Sequence, residues 1–221
     1  MRISIPLLVT LFLALPAAAD PASPLASEDE KVLYAVGVTL GRSVGTLDLD
    51  EQEVEIVKRG LEDQVFGREL AVDYGEYGPK MAAFANSRKA RMAQKEREAS
   101  KSFLAEAAAV PGAVTTESGL VYTETKAGTG PTPSPTDRIK VHYHGTLRDG
   151  SVFDSSRERG EPAVFSLNRV IPCWTEALQM MKVGGRADIT CPADLAYGDR
   201  GTGAIKPGAA LRFDVELISI E

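Results

Sequence analysis

The stretch IKVHYHGTL, residues 139–147, decides the fold class of the C-terminal half of this chain. Apolar residues at positions 139, 141 and 143 alternate with polar residues at positions 140, 142 and 144. Successive side chains of a β-strand point to opposite faces, so this period of two predicts a half-buried strand with Tyr143 on the core side. The stretch LRFDVEL, residues 211–217, repeats the pattern, and residues 185–191 are a third strand candidate.

The segments around these strands allow only one helix. Residues 120–125 are strand-like, and residues 128–136 are rich in Gly, Pro and Ser, which indicates a loop. A short helix fits at residues 174–181, because Val-Ile-Pro precedes it and Gly184-Gly185 follows it. The C-terminal half is therefore predicted to be an antiparallel sheet wrapped on one short helix.

The N-terminal half has the period of helices instead, which makes the whole chain α+β. Ser27 and Glu30 form a capping-box pattern before apolar residues 32, 36 and 40, and the helix is predicted to end near Gly41. Asp50 and Glu53 start a second helix with apolar residues 54, 57, 61 and 65, ending at residue 67. Stripes this narrow on short helices predict burial against a second copy of the chain, and a monomeric helical cap is the alternative.

A third helix is predicted to run from Pro79 to about residue 109, a length of roughly 45 Å. Its middle consists mainly of Ala, Lys, Arg, Glu and Gln, which indicates a solvated stalk stabilised by helix propensity and by charge pairs. The basic residues there also suggest anion binding, but Glu96 and Glu98 lie among them and favour a solvated face. Pro111-Gly112 ends the helix.

The first residues are typical of a cleaved export signal. Arg2 precedes an apolar run at residues 3–15 and three alanines at residues 17–19, so we expect cleavage after Ala19. The alternative is the apolar start of a folded domain. No cysteine near the cleavage point offers a lipid anchor, and no later stretch is apolar enough to span a membrane, so a periplasmic or secreted protein is expected. The predicted parts are 1–19 signal peptide, 20–76 helical dimerisation domain, 77–111 connecting helix and 112–221 sheet domain.

Charge and cysteine content narrow the functional classes. A formal net charge of −6 gives no basic surface for nucleic acid or for an anionic membrane. Cys173 and Cys191 are the two cysteines, and in an exported chain they are expected to form a disulfide; two buried thiols, or a reactive thiol at Cys173, are the alternatives. His142 and His144 lie on one strand face and are able to bind a metal, but no third ligand is recognisable, so solvated histidines are favoured.

Four ordered segments resemble the signature segments of FKBP-type prolyl isomerases. They are VHYHGTL at 141–147, FDSS at 153–156, LAYG at 195–198 and FDVEL at 213–217. The resemblance runs from about residue 120 to residue 221. The helical half is similar to the N-terminal dimerisation domain of macrophage-infectivity-potentiator and FkpA-like members of that family.

The resemblance implies a twisted antiparallel sheet curved around a short helix, with a proline pocket between them. The implied pocket residues are Tyr143, Phe153, Asp154, Phe165, Val170, Ile171, Trp174, Tyr197, Ile205 and Phe213, with Trp174 as the floor. Asp154 and Tyr197 take the catalytic positions, and Arg159, which is also among the implied substrate-binding residues, pairs with Asp154; a purely structural ion pair is the alternative for Asp154. The sequence departs from the common pattern at Ala163, Cys173 and Lys206, which changes one wall and leaves the floor intact.

The function implied is rotation about X-Pro bonds in unfolded or partly folded exported proteins, without a metal or another cofactor. Macrolides of the FK506 and rapamycin type are the small molecules that such a pocket is expected to bind. Two other functions stay open, a dimeric holdase chaperone with little turnover and a docking module for one fixed partner.

Overall fold

The computed structural model describes residues 24–221, and the chain divides into two units, the first ending at Val44. The described helix of the first unit is α1, Glu28–Val44. It begins with the predicted capping box, because Ser27 Oγ accepts from the Glu30 amide at 3.2 Å and the Glu30 carboxylate accepts from the Ser27 amide at 3.0 Å. The helix continues three residues past Gly41, since a single glycine does not end a helix. The predicted signal peptide lies outside the described residues.

The second unit begins with the other helices. α2, Glu51–Val65, starts at the predicted Asp50, which forms a capping box with Glu53 and accepts from the Glu53 amide at 2.9 Å. A short helix that was not predicted, α3 (Tyr74–Tyr77), comes next. The long helix α4, Lys80–Ala108, begins directly after Pro79 and has 29 residues, as its uninterrupted sequence predicts.

The prediction of a solvated α4 is wrong for one of its faces. Ala93, Ser100 and Ala107 are only 2%, 3% and 4% exposed, although most other residues of the helix contact water. Residues seven apart lie on the same side of a helix, so these three define a buried stripe. The stripe consists of small residues, which is why a search for large apolar residues does not find it.

The C-terminal part is one antiparallel sheet, as predicted. Its order is β1-β2-β6-β7-β3-β4. β5 pairs with the start of β3, on the same edge that β4 pairs with further along the strand. The strands are β1 (Val114–Thr115), β2 (Val121–Lys126), β3 (Arg138–Leu147), β4 (Val152–Ser155), β5 (Ala163–Ser166), β6 (Arg186–Cys191) and β7 (Leu211–Ile220). The two strands with the clearest alternation, β3 and β7, pair along nearly their whole length. Tyr143 is 4% exposed on the core face.

The single α-helix of this part, α5 (Pro172–Leu178), packs its buried residues into the core of the sheet domain. It begins two residues earlier than predicted because Pro172 occupies its first turn. The backbone N–H that proline lacks has no partner within the helix at that position, so no hydrogen bond is lost. Cys173 in α5 and Cys191 in β6 form the expected disulfide, with Cα atoms 5.8 Å apart. The bridge ties the helix to the sheet.

None of the helices between residues 24 and 221 is both long and apolar enough to cross a membrane.

Candidate active site

A cavity of about 410 Å³ opens between α5 and the sheet. Ten residues line it: Tyr143, Phe153, Asp154, Phe165, Arg169, Val170, Ile171, Trp174, Tyr197 and Phe213. They come from five separate segments of the sheet domain, so only the folded chain brings them together. Nine of the ten were predicted from the sequence.

Trp174 forms the centre of an aromatic cluster at this cavity. Its indole meets the rings of Tyr143, Phe165 and Phe213 edge-on, with centroid distances of 5.2, 5.6 and 5.3 Å. Edge-to-face packing at these distances is favourable for aromatic pairs and restricts the movement of each ring. Trp174, Tyr143 and Phe213 are each only 4% exposed. The cavity therefore has a rigid, apolar floor.

A close approach to Gly145 of β3 allows two of the rings to take these positions. A Cβ atom at Gly145 would lie 2.7 Å from the Phe153 ring and 3.1 Å from the Phe213 ring. Both distances are shorter than ordinary van der Waals contacts, so any side chain here would displace the aromatic wall. Gly145 belongs to one of the four segments that resemble the family, and it leaves room for the two aromatic rings because it has no side chain.

A polar network of three side chains lies at the edge of the cavity. The Tyr143 hydroxyl and the Arg159 guanidinium both donate to the Asp154 carboxylate. Arg159 also donates to the Tyr143 hydroxyl oxygen at 2.9 Å. Arg159 does not line the cavity itself, so it contacts the site through its two partners. Asp154 and Arg159 are about half exposed.

The network keeps each of its members in one protonation state near neutral pH. Burial acts to raise the pKa of the Asp154 carboxyl, but the hydrogen bonds from Tyr143 and Arg159 outweigh it and hold the pKa below its usual value. Burial, together with the hydrogen bond to Asp154, raises the pKa of the Tyr143 phenol. The cavity edge therefore carries an ionised carboxylate and a neutral phenol.

Three residues are placed differently from the sequence-based prediction. Arg159 was expected among the substrate-binding residues but does not line the cavity. Ile205 is 5% exposed and belongs to the hydrophobic core, but it is not among the residues that line the cavity. Arg169, which was not predicted, does line it. No carboxylate of residues 24–221 lies within ion-pair distance of Arg169, in contrast to the paired Asp154. Nothing in the local sequence marked Arg169, because an exposed arginine at the end of a three-residue 3-10 helix has no pattern of its own.

The remaining polar candidates lie away from the cavity. His142 Nδ1 lies 3.1 Å from Ser156 Oγ, and His144 Nδ1 lies 3.0 Å from Ser155 Oγ. Within the described part of the chain, no group of three or more His, Cys, Asp or Glu side chains is arranged to hold a metal. The two histidines are thus accounted for by contacts with neighbouring serines.

Comparison with known proteins matches both halves of the chain. Residues 130–218 match the family of FKBP-type peptidyl-prolyl cis-trans isomerases, and residues 29–123 match the domain amino-terminal to such isomerases. The chain is 38% identical to the FKBP-type isomerase FkpA of Aeromonas hydrophila, over 91% of this chain and 80% of that protein. It is 35% identical to the outer membrane protein MIP of Legionella longbeachae, over 92% and 91%. The crystal structure of FkpA from Escherichia coli superposes with a TM-score of 0.68 and 32% identity, covering 90% of this chain and 99% of that one.

Proposed function

The chain belongs to the FKBP-type peptidyl-prolyl cis-trans isomerases, and we propose that it rotates X-Pro bonds in the cavity floored by Trp174. The observation that carries this assignment is the convergence of six aromatic side chains, three of them almost fully buried, on one open cavity. A proline ring is a compact apolar group, and this cavity offers it an apolar floor with a polar edge.

An apolar cavity is sufficient for this reaction because no covalent bond is made or broken. The barrier of about 18–20 kcal/mol comes from the partial double-bond character of the amide. In the twisted transition state that resonance is lost, so the carbonyl oxygen carries less negative charge. It therefore gives up less hydration free energy when it leaves water. The cavity binds the twisted form better than the planar one, which is catalysis by differential binding.

The polar edge orients the substrate in this mechanism. The ionised Asp154 carboxylate faces the carbonyl carbon of the twisting bond, held in place by Tyr143 and Arg159. Tyr197, which is 39% exposed at the cavity, donates a hydrogen bond from its hydroxyl to a substrate carbonyl. Val170 and Ile171 add apolar surface to the cavity.

The assignment is tested by the cis-to-trans rate of a short peptide with an apolar residue before proline. Tyr197→Phe and Asp154→Asn are each expected to lower kcat/KM by about fivefold to tenfold, the equivalent of one hydrogen bond. Tyr77→Phe, a change at an exposed tyrosine of α3, is the matched control and should turn over like the unaltered chain. A macrolide of the FK506 type is expected to compete with the peptide. Full activity in both cavity variants would remove these residues from the mechanism.

We also propose that the protein acts on exported proteins, as a periplasmic or secreted enzyme. The support is the signal-like pattern of residues 1–19. Mass spectrometry of the protein isolated from its native host should find a mature chain that begins at Asp20. A chain that keeps Met1 would contradict export by cleavage.

A homodimer is proposed because the helical half leaves large apolar side chains in water. Val32, Leu33, Val36 and Leu40 of α1 are 61%, 68%, 52% and 45% exposed, and α2 exposes Val54, Val57, Leu61 and Val65 in the same way. Single exposed apolar residues are common, but repeated rows on two helices mark an interface. Sedimentation at micromolar concentration should give twice the mass of one chain, and Leu33→Asp should shift it toward one. A monomer in the unaltered protein would refute the dimer.

Chaperone activity is a second proposed function, and a separate observation favours it. The segment from the end of α2 to the start of α4 exposes Phe66, Leu70, Tyr74, Tyr77 and Phe84 outside the cavity. Such a surface is suited to binding unfolded apolar segments. The Asp154→Asn variant should therefore still suppress aggregation of a client without proline. Loss of suppression together with loss of turnover would assign holding to the cavity instead.

A further inference from the structure

The second half of α4 packs against the segment that follows β6, within the second unit of the chain. Ser100 Oγ accepts a hydrogen bond from the Ala210 amide at 3.3 Å, and both residues are almost fully buried. A Cβ atom built at Gly208 would overlap the carbonyl group of Ala93. The helix backbone thus lies in direct contact with this segment, in a place where only glycine fits.

Arg97 extends this contact to the part of the segment that carries Tyr197. Its two terminal nitrogens donate to the two oxygens of Asp194, at 2.9 and 2.6 Å. Its Nε donates to Asp199 Oδ1 at 3.0 Å. These hydrogen bonds, that to Asp194 first, raise the pKa of the Arg97 guanidinium, and Arg97 lowers the pKa of Asp194 in return. One guanidinium therefore joins two carboxylates five residues apart.

The geometry is stronger than that of an ordinary surface ion pair. An isolated exposed pair stabilises a protein by about 0–1 kcal/mol, whereas a bidentate arginine in a network fixes the orientation of its partners. The Arg97 side chain is 34% exposed, and the carboxylates of Asp194 and Asp199 are 73% and 63% exposed. Glu96, its neighbour on the helix, accepts from Arg148 of the sheet domain at 2.7 Å. The helix is thus joined to the sheet domain at several points, and Arg97 is the one beside Tyr197.

In the sequence, Tyr197 lies between the two residues whose carboxylates Arg97 binds. The chain between them is already bent back on itself, since the amides of Ala196 and Gly198 both donate to the carbonyl of Ala193, at 3.0 and 2.9 Å. Gly198 in turn accepts from the amide of Gly208 at 2.9 Å, next to the contact with α4. With both flanks of this bend fixed, the Tyr197 side chain has little freedom other than its own rotamers.

We propose that Arg97 is a positioning residue for catalysis, which acts from α4 by holding the loop at residues 193–200 so that Tyr197 faces the substrate. The proposal rests on the role of Tyr197 in the proposed function. It makes the second half of α4 a structural part of the active site rather than a connector. The isomerase unit accordingly includes α4 from about residue 93 onward, not only the predicted residues 112–221.

The test is a double-mutant cycle in the full-length chain. Arg97→Gln, Tyr197→Phe and the double variant are compared by the kcat/KM of an X-Pro peptide. Arg97→Gln alone is expected to lower kcat/KM by about threefold to tenfold, from the loss of two ion pairs that orient the loop. In the Tyr197→Phe background the same change should have little further effect, because the group that it positions is already gone.

Two further variants separate positioning from loss of stability. Lys101→Gln removes the same charge from α4 but breaks only an exposed pair with Glu98, so it should leave the rate unchanged. Asp199→Asn removes only one of the two carboxylates and is the milder variant, to be used in case Arg97→Gln does not fold. In the same cycle it should lower kcat/KM by a smaller factor. Hydrogen exchange of the Ala196 and Gly198 amides should become faster in Arg97→Gln and in Asp199→Asn, while the β7 amides remain protected.

The outcomes are distinguishable. Equal factors for Arg97→Gln in both backgrounds, or no effect on the rate, would overturn the positioning role and leave that of Tyr197 intact. A Tyr197→Phe variant with full activity would overturn both the positioning role and the assigned function of Tyr197. Faster loop exchange with an unchanged rate would show that the clamp is structural only.

Discussion

Reduction of the disulfide between Cys173 and Cys191 is expected to destabilise the sheet domain by about 3 kcal/mol. The bridge joins residues 18 apart in sequence, and closing a loop of that size removes about 11 cal/mol/K of entropy from the unfolded chain. Both sulfur atoms belong to fully buried residues. After reduction the two thiols remain apolar groups in the same core, so the lost crosslink is the main perturbation.

The single tryptophan of the chain reports this change directly. Trp174 follows Cys173 in α5 at the floor of the cavity, so its fluorescence follows unfolding of the helix that the bridge holds. The protein is unfolded with and without reductant, refolded and melted again, and the reduced form should melt about 10 °C lower. A Cys173→Ala/Cys191→Ala variant should not respond to reductant. Equal melting of both forms, or two titratable thiols in the unreduced protein, would refute the reasoning.

Three other predictions follow from the site and its surroundings. The pKa of Asp154 is lowered and that of Tyr143 is raised, so both shifts lead away from neutrality, and kcat/KM should be constant between about pH 5 and 9; a bell-shaped profile near neutrality would contradict this assignment. Arg169→Gln should lower kcat/KM for peptides with Glu before proline by about threefold relative to peptides with Leu there. Lys126→Gln, the same charge change away from the cavity, should leave this Glu-to-Leu ratio unchanged. Equal ratios in both variants would exclude Arg169 from selectivity. Gly208→Ala should destabilise the fold by about 2 kcal/mol or more in a denaturant titration, because φ is +78° and a Cβ would overlap α4; wild-type stability would contradict that contact.

The parts of the fold that local rules determine could be predicted from the sequence. The strands β3 and β7 follow from alternation over six and seven residues, and the starts of α1 and α2 follow from cap signals within four residues. The short strands β4 and β5 have four residues each, too few for a period to be visible. Their positions depend on pairing with β3, which a local pattern does not contain.

The cavity was predicted through resemblance rather than through pattern. Each of its aromatic residues, taken alone, fits ordinary core packing, and only the order of the four segments marked them as a set. Arg169 and the buried stripe of α4 had no such mark. Ala93 contacts Gly208, a residue 115 positions away, and a small residue reveals nothing of a partner at that distance.

The cavity depends on constraints from outside it, because an apolar site has few directional bonds of its own. An enzyme that favours a twisted bond over a planar one must keep its walls fixed while the substrate changes shape. The disulfide at Cys173 holds the floor helix, the pair of Asp154 and Arg159 holds one edge, and Arg97 holds the loop of Tyr197. Each constraint joins a cavity element to a part of the structure that does not contact the substrate. Rigidity of the walls, rather than a reactive group, is therefore the property that this sequence supplies for catalysis.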